Sequence, residues 1–327
     1  MKIADCHNPE FIFLENVPNL KSHDGGATWK YIKSKLSDDY DVRDDIISPH
    51  KFGVPHHRSR IYIVCRLKKK GGLSYFKFPE EIITPALSIN SIIDEKPKEY
   101  TSLREDSKKQ LEVWQEFLDN LKPEDVPGFP IWAMEFGATY PYKKKTPSEY
   151  SKKELKKYRG VLGCKIDGHS VDEALSYLPK YARDQQAEFP AWKKTYIQNN
   201  RDFYRKNKKW IDKWKSKVKG FDASHQKFEW NCGVEGPLIV NDKIIQFRPS
   251  GIRAKKPNFS PALVLNATQI PVFPWLDRYM TPREAAKLQC MSDLEEIPKI
   301  SVKAFRAFGN AVNVCVVKKI AERLLKI

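Results

Sequence analysis

Glu15 closes a short apolar run, Glu10 to Val17 (EFIFLENV), and is followed directly by Asn16. A carboxylic acid on a rigid strand end in a water-poor pocket, its pKa raised by burial, can supply a proton or a strong hydrogen bond to a reacting group. The competing reading is an ordinary loop carboxylate capping the helix that follows. Arg58 and Arg60 stand two apart in Gly53-Val54-Pro55-His56-His57-Arg58-Ser59-Arg60, which leads into the apolar text IYIV. On a strand that spacing puts both side chains on one face, and a guanidinium is planar and always charged; a solvated strand-edge pair is the alternative. His50, His56 and His57 invite a metal reading, but their Pro-rich spacing has no helical register, so unliganded histidines are expected. The six cysteines (Cys6, Cys65, Cys164, Cys232, Cys290, Cys315) form no CxxC and no paired Cys/His spacing. Reduced thiols are expected, and a disulfide or zinc framework is not.

These residues need elements to hold them. EFIFLENV reads as a buried parallel strand running into a loop at its C-terminal end. Trp29, Ile32 and Leu36 recur at helical spacing after Gly25-Gly26, a strand follows near Tyr40 to Ile47, and after a loop a second buried strand covers Ile61 to Val64. The order β-α-β-loop-β is a piece of a doubly wound α/β sheet. Far along the chain, Thr281-Pro282-Arg283-Glu284 is a capping box with Pro at the first helical position, opening a helix over Ala285 to Cys290. Val312, Val316, Ile320 and Leu324 mark a final amphipathic helix that Gly309-Asn310-Ala311-Val312 opens, where free N–H groups and the helix dipole favour an anion. Between these ends lie helix-like stretches near Leu103 to Leu121 and Tyr181 to Val218, and strand-like text at Leu238 to Arg248.

Glu15-Asn16-Val17, the arginine-bearing segment before IYIV, the string RYMTPREAAKLQ (Arg278 to Gln289) and FGNAV (Phe308 to Val312), taken in this order, resemble the cytosine-5 DNA methyltransferase family. Flanking text such as NVPNLKSHDGG, IQFRPSGIRAKKP and FSPALV is similar to its bacterial restriction-modification members. The resemblance implies a Rossmann-like methyltransferase sheet, here partial, with a large inserted α+β target-recognition domain. It implies methyl transfer from S-adenosylmethionine to C5 of cytosine in a specific site of double-stranded DNA. Glu15 matches the glutamate that serves N3 of cytosine, which the reaction requires because the ring is otherwise aromatic and electron-poor. Arg60 matches the arginine that contacts O2 of the extruded base, with Asn16 beside it on the substrate side, and Arg58 the one that supports the pocket and its glutamate. Asn310 and Ala311 match cofactor-side residues, while Arg283 and Glu284 match residues that hold the recognition region against the catalytic body. Two positions depart from the family's pattern: His56 stands where it has Gln, and Ala307 where Gln is usual.

The charge fits a polyanionic partner. Lys and Arg number 58 against 41 Asp and Glu, a formal charge of +17 over 327 residues. Composition divides the chain into a catalytic segment 1–66, a recognition region 67–270 and a C-terminal return 271–327; the middle holds 38 basic and 26 acidic residues, an excess of 12. Its densest part, Trp192 to Phe221, interleaves basic residues with aromatics that either stack on bases or face their own core. No apolar run is long enough to cross a bilayer and no secretory signal is legible at the start, so a cytoplasmic location is expected. The family also carries a Phe-x-Gly-x-Gly turn and a nucleophilic Pro-Cys loop ahead of its Glu-Asn-Val strand, and no Pro-Cys pair occurs in this sequence. The expectation is therefore an incomplete or split chain that is inactive alone and works with a complementary polypeptide carrying the N-terminal catalytic half. The alternative is a non-catalytic DNA-binding remnant or specificity subunit.

Overall fold

The computed structural model describes residues 2–82, 86–263 and 269–326. Val264, the last residue of FSPALV, lies outside them. In chain order the elements are α1 (Lys2–His7), β1 (Phe11–Asn16), α2 (Ala27–Ser37), β2 (Tyr40–Ile47), β3 (His56–His57), β4 (Arg60–Leu67), α3 (Glu105–Leu118), β5 (Ile131–Trp132), α4 (Lys152–Leu155), α5 (Val171–Ser176) and α6 (Ala191–Trp214). They continue with β6 (Lys227–Asn231), β7 (Ile244–Arg248), β8 (Gly251–Lys255), β9 (Ser260–Pro261), β10 (Val272–Phe273), β11 (Arg278–Tyr279), α7 (Pro282–Leu288), α8 (Ser301–Asn310) and α9 (Val314–Leu324). Two compact units result: residues 1–100, 257–270 and 280–327 form one, and 101–256 with 271–279 the other. Composition changes at 66 and 270, whereas the chain leaves the first unit only at Tyr100 and re-enters it at Pro257.

The first unit is built on a three-stranded sheet of order β1-β4-β2. β1 and β2 run the same way and β4 runs antiparallel between them, with Glu15 opposite Tyr62 and Ile47 opposite Arg60. β1 thus finds its described partner in an antiparallel strand, not a parallel one, and it is only half-buried, with Leu14 exposed. β4 is the buried strand, and the two-residue alternation of its side chains feeds two cores. Ile61, Ile63, Cys65 and Leu67 pack with Trp29 and Leu36 of α2, while Tyr62 and Val64 pack with Val316, Ile320 and Leu324 of α9. A sheet covered by a helix on each face is the layered α/β arrangement that the apolar text required.

The C-terminal helices depart from expectation in their limits. α7 forms with the expected capping box, the Thr281 side chain accepting from the Glu284 N–H and Glu284 answering the Thr281 N–H, but it ends at Leu288 and not at Cys290. Gly309 and Asn310, however, end α8 instead of opening the last helix, and α9 begins only at Val314. Its N-cap is Asn313, whose Oδ1 accepts from the Val316 N–H at 3.1 Å. No helix opens at Gly309 to Val312, so the free N–H groups and helix dipole expected there lie instead at the start of α9, where the Asn313 side chain takes one of those N–H groups.

The second unit holds a six-stranded mixed sheet of order β11-β10-β7-β8-β6-β5. α3 and α6 match the helical stretches with tighter limits, and the strand-like text at 238–248 becomes strand only from Ile244. β7 turns into β8 through Pro249 and Ser250, and Gly251 has φ +137°, where a Cβ would meet Lys227 Cβ at 2.9 Å. Trp114 of α3 is fully buried, stacked on Phe228 with ring centroids 4.9 Å apart and against Trp214 of α6 at 5.1 Å. Most aromatics of α6 are therefore core residues: Trp214 is buried and its Nε1–H donates to Val113 O, while Phe203, Tyr204 and Trp210 pack partly against the same cluster. Trp192 alone of the tryptophans in this helix is exposed.

Candidate active site

The C-terminal ends of β1 and β2 and the start of β4 meet at one edge of the first unit's sheet, where α/β folds place their ligands. Glu15 sits next to last in β1, and Arg60 is the first residue of β4. Directly opposite residues share a face, so Glu15, its partner Tyr62 and Arg60 two places earlier all project the same way. Arg60 Nε lies 3.0 Å from Glu15 Oε1, with the two side chains 16% and 23% exposed. The contact is an ion pair without hydrogen-bond alignment, for Glu15 Oε1 is buried and lacks a hydrogen-bond partner among the described residues. Tyr62 completes the floor, its hydroxyl pKa pushed up to about 12 by burial and by the neighbouring Glu15. Asn16 is exposed, and its Oδ1 accepts from the Val17 N–H at 2.8 Å, a local turn that fixes the strand end.

Arg58 does something different from its neighbour. It lies in the irregular link between β3 and β4, so the alternation that would align it with Arg60 does not apply. Its guanidinium is buried and turned to the segment that ends α8: Nη2 donates to Gly309 O at 2.9 Å and Ala311 O at 3.0 Å, and Nη1 to Leu263 O at 3.4 Å. Burial and then the neighbouring Arg60 charge lower its pKa to about 10, still far enough above neutrality to keep it charged. Arg58 thus feels the charge of Glu15, which acts to raise its pKa, while its hydrogen bonds go to the Gly309–Ala311 backbone and Leu263.

Two residues that the sequence reading did not single out share that task. Gln289, fully buried after α7, donates through Nε2 to Phe308 O at 2.6 Å and Ala311 O at 3.2 Å. Asn313 Nδ2 donates to Leu288 O at 2.9 Å while its Oδ1 caps α9. Gln289 is the last letter of PREAAKLQ, so position was legible although role was not. His56 is fully buried; its Nδ1 lies 3.1 Å from Leu288 O, which can only accept, so Nδ1 carries the proton. Burial first, then the Arg58 charge, lowers its pKa to about 3. His56 is a neutral tie from β3 to α7. No group of three His, Cys, Asp or Glu side chains able to hold a metal occurs among the described residues.

Glu284 Oε1 accepts from the Asp94 N–H at 2.9 Å, and Arg283 Nη1 donates to Leu294 O. Asn310 is exposed at the end of α8, and Ala311 offers its carbonyl to Arg58 and Gln289. No helix of the described residues is long and apolar enough to cross a membrane.

A carboxylate and a guanidinium facing each other at a sheet edge, with a side-chain-pinned loop nearby, define a site able to grip the polar edge of a planar heterocycle. The C-5 cytosine-specific DNA methylase family matches residues 1–326, and the chain belongs to that family. Its members take their methyl group from S-adenosylmethionine. Type II methyltransferase M.AluI of Cellulosimicrobium cellulans is 25% identical over 389 residues, which span 98% of this chain and 71% of that protein. Type II methyltransferase M.HpaII of Haemophilus parainfluenzae is 44% identical over 84 residues, 25% of this chain and 23% of that one. Among solved structures, methyltransferase EhMeth of Entamoeba histolytica aligns with 97% of this chain at 17% identity and a TM-score of 0.40. The chain spans 63% of its length.

Proposed function

We propose that this chain supplies the base-gripping and recognition parts of a DNA (cytosine-5-)-methyltransferase of a restriction-modification system, working in the cytoplasm on a specific duplex site. The observation that carries this reading is the Glu15–Arg60 pair at the sheet edge. Glu15 would serve N3 of the extruded cytosine and Arg60 its O2, so that electron density is drawn from the ring as a nucleophile adds at C6. Arg58 acts through the backbone it holds and is a positioning residue. S-adenosylmethionine supplies the electrophilic methyl group. Asn310, whose exposed amide can both donate and accept, suits a polar ligand, and with Ala311 it would hold the cofactor.

Addition at C6 needs a thiolate, and the Pro-Cys loop that carries it in the family has no counterpart in these 327 residues. We assign it to a complementary polypeptide or to a longer form of the same gene product, so that the chain by itself gives background methylation. The test combines this chain with a fragment bearing the missing cofactor turn and Pro-Cys loop and follows labelled methyl transfer to duplex DNA. Activity should appear only with both. Glu15→Gln should then lower the rate by about 10²–10⁴, the usual span for a general acid, with duplex binding retained. Full activity of the isolated chain would refute the split reading, and an unchanged rate in Glu15→Gln would refute the role of Glu15.

A further inference from the structure

The second unit contains a cleft of about 620 Å³ that is distant in chemistry from the Glu15 site: its lining includes Lys143, Arg159, Arg201, Arg205 and Lys208 and no carboxylate. Three of these cations come from one helix. Gln198, Arg201, Arg205 and Lys208 follow one another at spacings of three, four and three on α6, hence along one stripe, separate from the stripe of Phe203, Trp210 and Trp214 that enters the core. The opposite wall is built from two loops that cross at paired glycines, where a Cβ on Gly137 would meet Gly163 Cα at 3.2 Å. Thr139 N–H donates to Arg159 O at 3.0 Å and Arg159 N–H to Thr139 Oγ1 at 2.8 Å, which fixes Arg159 at the rim.

Arg201 is the floor of this cleft and is held with unusual completeness. Its guanidinium lies 4.3 Å from the Tyr140 ring centroid and 4.7 Å from that of Tyr142. Nε pairs with Glu135 Oε2 at 2.9 Å and Nη1 donates to Tyr140 O at 2.9 Å. Glu135, fully buried, also accepts from the hydroxyls of Tyr140 and Tyr181. Arg201 itself is only 9% exposed, yet its Nη2 has no hydrogen-bond partner among the described residues. Folding so polar a group away from water normally demands every bond be met. The local charge balance points outward. Glu135 neutralises Arg201 and Asp202 pairs with Arg205, leaving Lys143, Arg159 and Lys208 without a carboxylate partner among the ion pairs described.

We infer that this cleft is a phosphate site, filled by backbone phosphodiesters of the DNA duplex when the recognition unit engages its target. The inference rests on the DNA-substrate reading above and adds a location to it. Arg159 and Lys208, from opposite walls, are the direct phosphate contacts, with Arg201 as the fixed floor. Tyr142 and Tyr204, at its side, limit the depth to which a sugar-phosphate chain can enter.

The experiment measures duplex affinity of the full chain across a salt series for the wild type, for an Arg159→Gln/Lys208→Gln double variant, and for a Lys69→Gln/Lys70→Gln double variant. Lys69 and Lys70 are exposed and lie in the first unit. Each phosphate contact contributes about 0.9 to the slope of log affinity against log salt, so the cleft variant should lose about 1.8 and the control much less. Equal losses in both doubles, or none in the cleft variant, would overturn the site while leaving DNA binding intact. In parallel, inorganic phosphate is compared with chloride at matched ionic strength for its effect on the melting temperature. If the wild type ignores duplex DNA but phosphate raises its melting temperature and not that of the cleft variant, the DNA reading falls and a free phosphate is the ligand. If neither ligand distinguishes the variant, the phosphate site itself is refuted.

Discussion

Replacing His56 by Gln, the residue that the family's pattern has at this place, should remove a large part of the protein's acid sensitivity. The imidazole is fully buried, donates from Nδ1 to Leu288 O and has no partner for Nε2 among the described residues. Protonation would bury a second N–H without an acceptor and set a cation beside Arg58, with Arg60 and His57 adding to the unfavourable field. The folded pKa of about 3 lies below the ordinary 6.5, so between these values the unfolded chain binds a proton that the folded chain refuses. Stability from this group is therefore complete above pH 6.5 and declines as pH falls toward 3. At pH 5 the folded imidazole is still neutral, and the unfolded one lies about 1.5 pH units below its midpoint; at about 1.4 kcal/mol per unit the loss is about 2 kcal/mol. A Gln side chain can still donate to Leu288 O and does not titrate. Urea unfolding of both proteins at pH 7, 6 and 5 isolates the effect, since every other titrating group is common to the two. The wild type should lose about 2 kcal/mol more than the variant between pH 7 and pH 5. Parallel stability curves would refute the burial argument.

Four further substitutions probe other parts of the molecule. Arg58→Lys keeps a charge but cannot span Gly309 O, Ala311 O and Leu263 O, so stability should fall by about 1–3 kcal/mol, with amide exchange accelerating at 311–316; unchanged exchange there would argue against the strap. Trp214→Ala should cost about 3–5 kcal/mol and Trp192→Ala no more than about 0.5 kcal/mol, a contrast readable by urea unfolding that equal losses would contradict. Glu135→Gln leaves the buried Arg201 guanidinium without its counter-charge and should cost about 3–5 kcal/mol by the same measurement; a loss below about 1 kcal/mol would mean that the tyrosine rings suffice.

Where the structure repeats what the sequence announces, the cause is local. The capping box from Thr281 to Glu284 is a four-residue signal answered inside the same turn. The spacing of Trp29, Ile32 and Leu36 yields α2, and Tyr40 to Ile47 is β2 to the residue. The failures arise where distant residues decide. Asn310 and Asn313 are both plausible helix starts by type, and what separates them is that Arg58 and Gln289 take the carbonyls of Phe308, Gly309 and Ala311 that end α8. The Arg58 bond to Gly309 spans 251 residues, beyond the reach of any periodicity. Arg58 itself looks like a strand residue because it stands two before Arg60, yet the strand starts only at Arg60. In the second unit, the basic-aromatic text of 192–221 contains a core stripe and a cleft stripe on one helix, which composition alone averages together.

Arg58 and Gln289 grip backbone oxygens, which every amino acid carries. The path of the chain at 308–311 is therefore written at positions 58 and 289, while the side chains at 310 and 311 are left to determine only what that path touches. Shape and chemistry at this corner have separate addresses in the gene. A library that randomises Asn310 and Ala311 would vary the chemistry presented at this corner on an unaltered frame, whereas one replacement at Arg58 would change the frame without changing a letter of the loop.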